Sequence, residues 1–383
     1  MSRPAASRTR TRPVALRMVL LAGGGFALLA GLDAALLLLG VGAPVWGERL
    51  TAVHGLLMVL GFVGTLIALE RAVALHRRWG FAAPALTALG GIALVSPLPL
   101  QAAGVLLVLG TGVQAAVFVP LWRRRRDPAV LVQALGAVAA VGAAVLFTGG
   151  ASTAAFLPWL VAFVVLLIAG ERMELARLGR SDDRAERAVL AAAVLLLVVV
   201  VLTLLFPGWA LPVLGLALLV LVGALLRVDV AVRMLRGRGL PRFSAACLLA
   251  GYGWLSLAGA VLLVAPDPWA GGGYDAVVHA VFLGFTVSMI FAHAPVILPA
   301  VLHRPLPYHP AMYVPAALLH AALLLRVAGD LRGARLLWQV GGVGNVVAVL
   351  AFLVTAIAAA VAAGRRRGRR PGAAGGTAAM TGP

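Results

Sequence analysis

Along this chain apolar residues come in long unbroken blocks, whereas an amphipathic surface helix would space them at a 3.6-residue period. The blocks read 14-42, 50-75, 80-99, 101-122, 128-149, 152-170, 187-206, 209-227, 241-265, 274-302, 308-329 and 336-363. Each is close to the length of about 20 apolar residues that crosses a bilayer core as a helix. The predicted fold is therefore all-α, a polytopic membrane bundle of twelve transmembrane helices. Residues 14-363 form the membrane domain, 1-13 a basic tail, and 364-383 a basic, Gly-rich tail expected to be disordered. The first block follows Arg-rich residues as a signal peptide would, but its length and lack of a small-residue cleavage site predict a retained helix. The linkers are short at one side (Val45 to Arg49, Pro207 to Trp209). On the other side Glu171 to Arg187 and Arg227 to Arg242 are long enough for surface helices.

Composition agrees: 62% of the 383 residues are apolar, 12% are charged, and the mean hydropathy is +1.03. The net charge of +19 would suggest nucleic acid in a soluble protein. Here every basic residue is Arg, and 28 of the 32 fall in alternate loops and the two tails. That is the positive-inside pattern, so the partner is the lipid bilayer of the plasma membrane, both termini face the cytoplasm, and nucleic acid is excluded. Trp46, Trp209 and Trp269 suit an outer aromatic belt. Cys247 is the single cysteine, which rules out an intrachain disulfide and predicts a buried packing thiol.

A repeat is written into the polar and aromatic identities. FVGTLIALER (Phe62 to Arg71) in the second block matches FVVLLIAGER (Phe163 to Arg172) in the sixth, four blocks later. In the tenth, GFTVSMIFAHA aligns more weakly, with Phe285 in the place of Phe62 and His293 in that of Glu70. Three pseudo-repeats of four helices follow.

Intramembrane polar residues are costly and mark candidate sites. His54 and His279 stand at equal depth, about 6 to 8 Å inside the outer ends of the second and tenth helices at ~1.5 Å per residue. Each either bonds a neighbouring carbonyl or hydroxyl, or shares a ligand with the other; two imidazoles facing each other across a bundle are a common way to hold a haem iron. Gly61-Phe62 and Gly284-Phe285 follow them, the glycines leaving room for a flat ligand or a second helix. His320, deeper in the eleventh helix, is a further candidate for the cofactor or a second metal. Asp33, Glu70, Glu171 and His293 are candidates for a polar network, with Arg49 or Arg326 as partners for Asp33, and with Glu70 and Glu171 each beside an Arg (Arg71, Arg172) for ion pairs at the cytoplasmic side. Asn345, Gln114, Gln133, Tyr252 and Trp254 are expected to make interhelical hydrogen bonds, and His76, His303 and His309 to lie at the interface, open to loose metal binding.

In HGLLMVLGFVG at 54-64, HAVFLGFTVSMIFAHA at 279-294 and HRPLPYHPAMYVPAALLHAALLLRVAGDL at 303-331, the chain resembles the NnrS family, membrane proteins of the nitric-oxide response that bind haem and copper. More distantly it is similar to the catalytic subunit of haem-copper oxidases and nitric oxide reductases, where the histidines of helices two and ten hold a low-spin haem. The resemblance implies a bis-His b-type haem on His54 and His279, possible copper, and a redox partner. It does not extend to a binuclear centre: no histidine lies between His76 and His279, and the residues two from His279 are Val277 and Val281. Reduction of oxygen or nitric oxide by that chemistry is not expected. The rival readings are a secondary transporter using Asp33, His320 and Asn345, and a cofactor-free membrane assembly protein.

Overall fold

The structure is a computed structural model describing residues 11–45, 47–177, 182–265, 267, 269, 272–302 and 306–368. Trp46, His303 and most of the two tails lie outside the described residues. Within them the fold is all-helical without a strand, and twelve helices are long and apolar enough to cross a membrane. They are α1 (Val14–Leu38), α2 (Glu48–Leu75), α3 (Arg78–Val95), α4 (Leu100–Arg125), α5 (Pro128–Thr148), α6 (Thr153–Ala176), α7 (Asp183–Leu205), α8 (Pro207–Val228), α9 (Leu240–Val264), α10 (Gly273–Pro299), α11 (Pro310–Leu331) and α12 (Arg335–Arg365). All twelve apolar blocks of the sequence are recovered. With inner and outer naming the sides that the arginine pattern predicts, the long inner linkers hold less helix than expected: Ala231–Met234 is one short turn, and the residues after Glu171 simply continue α6 to Ala176.

Helix ends follow local chemistry. Asp127 opens α5 by accepting from the Ala129 N–H at 2.8 Å, with Pro128 at the first helical position. His76 ends α2 in the left-handed conformation at φ 58°. Arg49 reaches across from the start of α2 to the last turn of α3 and the loop beyond, donating to the carbonyls of Leu94 (2.8 Å) and Leu98 (2.6 Å). Small residues let helices close on one another, since lipid supplies no hydrophobic drive between them. On the α5–α6 seam a Cβ on Gly136 would fall 2.9 Å from Leu167 N, and one on Gly170 would fall 2.6 Å from Ala129 O.

The burial pattern orders the bundle. α6 has 78% of its most apolar window buried and α2 and α10 have 67% each, against at most 56% for any other span. The three most buried spans are thus four helices apart, the spacing of the sequence repeat. The three meet one another: the second half of α10 packs on the inner end of α2, its middle touches α6, and Arg71 of α2 pairs with Glu174 of α6 at 3.3 Å.

The centre also departs from regular helix. α2 is π-helical over Leu57–Gly64 and α10 over Ala280–Val287, each segment eight residues long with Gly-Phe at its fifth and sixth positions. The Thr286 hydroxyl donates to Val281 O, five residues back, which is the reach of a π turn. α6, whose sequence matches α2 better, is α-helical throughout.

Candidate functional site: an outer histidine pair and an inner charge network

His54 lies on the last α-helical turn before the π segment of α2, and His279 immediately before that of α10. Both side chains are half-buried, and His54 is within electrostatic reach of His279, Asp275 and Arg326. The His54 Nδ1 sits 2.8 Å from Gly31 O on α1, and the His279 Nδ1 sits 3.0 Å from Asp275 O one turn earlier. A carbonyl only accepts, so each ring must carry its proton on Nδ1. In the neutral form of a ring so bonded, Nε2 keeps an unprotonated lone pair. That tautomer, fixed by a second acceptor, is the one in which imidazoles bind metals.

The neighbouring glycines serve helix packing. A Cβ on Gly61 would lie 3.0 Å from the Ala27 Cβ and 3.5 Å from Gly91, and one on Gly284 would lie 2.3 Å from the Trp254 ring. The room they leave is filled by protein, so the Gly-Phe pairs mark close approach of α1, α3 and α9. Phe285 lies beside Tyr252, ring centres 6.3 Å apart.

His320 faces α9 and α10. Its Nδ1 accepts from Trp254 Nε1 at 3.0 Å, which places its proton on Nε2, 3.5 Å from the Ser288 hydroxyl. With the first lone pair used and the second nitrogen protonated, it presents no metal-binding nitrogen. Asp33 is buried and accepts from the Val45 N–H at 3.3 Å. Neither expected partner reaches it: Arg49 is spent on backbone carbonyls, and Arg326 on Asp275 through two bonds of 2.8 and 2.6 Å. Asp33 therefore stands apart from Glu70, Glu171 and His293, which occupy the opposite ends of their helices.

At those inner ends a charge network joins several helices. Arg172 of α6 grips Asp229, just past α8, through Nε (2.9 Å) and Nη2 (2.8 Å), and its Nη1 donates to His293 Nε2 at 3.1 Å. His293 in turn donates from Nδ1 to Met289 O at 2.7 Å. Tyr252 of α9 donates to Asp229 at 2.6 Å, and the Ala231 N–H does so at 2.8 Å. Burial pushes the Asp229 carboxyl up, but the Arg172 guanidinium, the Tyr252 hydroxyl and the Ala231 amide outweigh it and hold the group below the usual carboxylate range. A second cluster lies beside it: Arg71 pairs with Glu70 at 2.5 Å and donates to Gln133 at 2.9 Å, and Glu171 borders the same cavity of about 10 Å³. The Glu70–Arg71 pair is as the sequence predicts. The expected Glu171–Arg172 pair is not: Arg172 turns to Asp229 and His293, and among the described residues Glu171 has no ion-pair partner within 4 Å. Asp229 was missed because it lies past the end of an apolar block; its signal was a lone acid among the arginines of an inner loop.

The remaining polar residues divide. Asn345 donates to Leu319 O at 2.9 Å, whereas both amide atoms of Gln114 are buried without a hydrogen-bond partner. His76 and His309 are exposed, and the Cys247 thiol is buried.

Fold and composition together define a polytopic α-helical membrane protein. Residues 17–361 match the family described as Domain of unknown function (DUF8744), and the chain belongs to it. No curated protein matches the chain.

Proposed function

We propose that this is an integral membrane haem-binding protein in which His54 and His279 would hold one b-type haem through their ring nitrogens near the outer face. The observation that carries the reading is the shared proton arrangement. Two imidazoles of the central helices, within electrostatic reach of each other, are both locked by Nδ1 onto carbonyls with Nε2 left to ligate. The donor set suits the group: two imidazole nitrogens from separate helices are a ligand set of low-spin haem, and a two-nitrogen site needs no third protein ligand. When bound, the haem supplies one-electron carriage. The protein's own contribution is to fix both rings, exclude water with apolar helix faces, and set the electrostatics through Asp275 and Arg326.

The role that follows is electron transfer or a response to nitric-oxide or redox stress in the cell's inner membrane, with both termini cytoplasmic and a redox partner docking outside the bilayer. This extends the NnrS-like resemblance of the histidine segments. Protein purified from haem-replete cells is expected to show a narrow Soret band and resolved α and β bands on reduction, lost in His54→Ala and His279→Ala together. Colourless protein from such cells overturns the reading, and copper found in its place by metal analysis redirects it to a copper site on the same nitrogens. The second reading, a secondary transporter, draws on the buried charge network at the inner ends of α2, α6 and α10. Substrate flux through haem-free protein would favour it.

A further inference from the structure

The two imidazoles are held unequally. His54 gives its Nδ1 proton to one uncharged acceptor, Gly31 O. The His279 proton lies between two oxygens of the same residue, Asp275 O at 3.0 Å and the carboxylate Oδ1 at 3.1 Å. Asp275 is itself clamped, with Arg326 Nε on Oδ2 at 2.8 Å and Nη2 on Oδ1 at 2.6 Å, and the guanidinium lies 5.4 Å from the Trp338 ring centre. Close packing holds the clamp: a Cβ on Gly341 of α12 would fall 2.4 Å from the Arg326 backbone nitrogen. Three helices, α10, α11 and α12, thus converge behind His279. Behind His54 stands one carbonyl of α1, and a Cβ placed on the adjoining Gly55 would meet nothing within 4 Å. An imidazole backed by a fixed carboxylate is a better electron donor and keeps its orientation; one backed by a carbonyl turns more freely.

We propose that Asp275 and Arg326 are positioning residues that make His279 the retained axial ligand and His54 the exchangeable one, so that a small neutral nitrogen base can take the place of His54. The inference rests on the haem reading above and deepens it. A carboxylate behind His279 would favour the ferric state of a bound haem, while its pairing with Arg326 fixes the carboxylate and moderates its charge.

The test uses the full chain in detergent with imidazole as the probe. His54→Ala is expected to retain haem in a five-coordinate, high-spin form that imidazole converts to six-coordinate, whereas His279→Ala loses haem at least about tenfold more readily, the lower end of the range for weakened ligand support. Asp275→Asn is expected to shift the ferric/ferrous equilibrium about tenfold toward ferrous, a rise of ~59 mV for a one-electron couple, with Asp275→Glu restoring the parent value. Asp275→Asn leaves Arg326 without its carboxylate, so the Asp275→Asn/Arg326→Gln double variant supplies the same readout if the single variant aggregates. Equal haem retention by the two histidine variants, or a potential unmoved by the loss of Asp275, overturns the inference while leaving the haem reading intact. A colourless wild type overturns the haem reading and this inference together.

Discussion

The outer histidine pair and the inner charge network sit on the same central helices and solve the cost of burial in opposite ways. At the inner ends, Arg172, Asp229, Tyr252 and His293 satisfy one another, side chain to side chain, from four parts of the chain. At the outer ends, His54 and His279 are each tied to a carbonyl, and each keeps one nitrogen unused. A closed network holds helices in register; a half-satisfied imidazole has bonding capacity left for something else. The difference teaches where to look for chemistry: in the region whose polar atoms are incompletely spent.

The comparison predicts unequal stability costs. The largest is for Arg172→Met, which leaves Asp229 buried without its guanidinium; removing one member of a buried pair costs about 3 to 5 kcal/mol. Thermal unfolding in detergent should register it, and adding Asp229→Asn should recover part of the loss. Additive losses in that double-mutant cycle would mean the two residues do not act as a unit and would dissolve the contrast.

Tyr252→Phe comes next. It removes one hydrogen bond to a charged acceptor while keeping the ring against Phe285, and such bonds contribute about 1.5 to 3 kcal/mol. An unchanged melting temperature would show the Tyr252 hydroxyl to be a bystander.

How much of this contrast was legible in the sequence follows from the physics of each part. The twelve helices were, because lipid demands long apolar runs and leaves no competing arrangement for the backbone. The four-helix spacing of α2, α6 and α10 was legible through a Phe common to all three and a Glu-Arg shared by the first two; their centrality was not. The π-helical segments were not either: α6 matches α2 over FVGTLIALER yet stays α-helical, and it carries Ala162 where α2 and α10 carry Gly61 and Gly284. The depth of His54 and His279 could be counted, but their proton positions depend on Gly31 and Asp275, and only tertiary structure brings Gly31 to His54. Pairing failed for the same reason. Arg172 has Glu171 beside it in sequence, but neighbours on a helix diverge by about 100°, and Asp229, 57 residues away, is the one that meets it.

Acid should separate the regions more gently. The Asp229 carboxyl is held below its ordinary value, so its contribution is fully present above the unfolded carboxylate pKa of about 3.9 and fades as pH falls through the lower folded value. Melting temperature should therefore drop on acidification below about pH 4 in the wild type, the range set by that reference value. The drop should be shallower in Asp229→Asn; an identical slope would mean that other carboxylates carry the acid sensitivity.

The smallest effect is predicted for the histidines themselves. In protein prepared without haem, His54→Ala removes one neutral hydrogen bond from a half-buried ring, about 0.5 to 1.5 kcal/mol, and His279→Ala one shared between the Asp275 carbonyl and carboxylate, toward the upper end of that range. Haem should widen that gap, because a ligand bound to the folded state alone raises apparent stability by mass action; His279→Ala forgoes it, and His54→Ala keeps only part of it. Melting curves with and without haem therefore read the spare bonding capacity directly: a wild type stabilised by haem, a His54→Ala variant stabilised less and a His279→Ala variant not at all would mark the outer pair as the working site. A loss from either histidine as large as that from Arg172→Met, with no haem present, would make the outer pair a second structural clamp and erase the distinction between the two ends of the bundle.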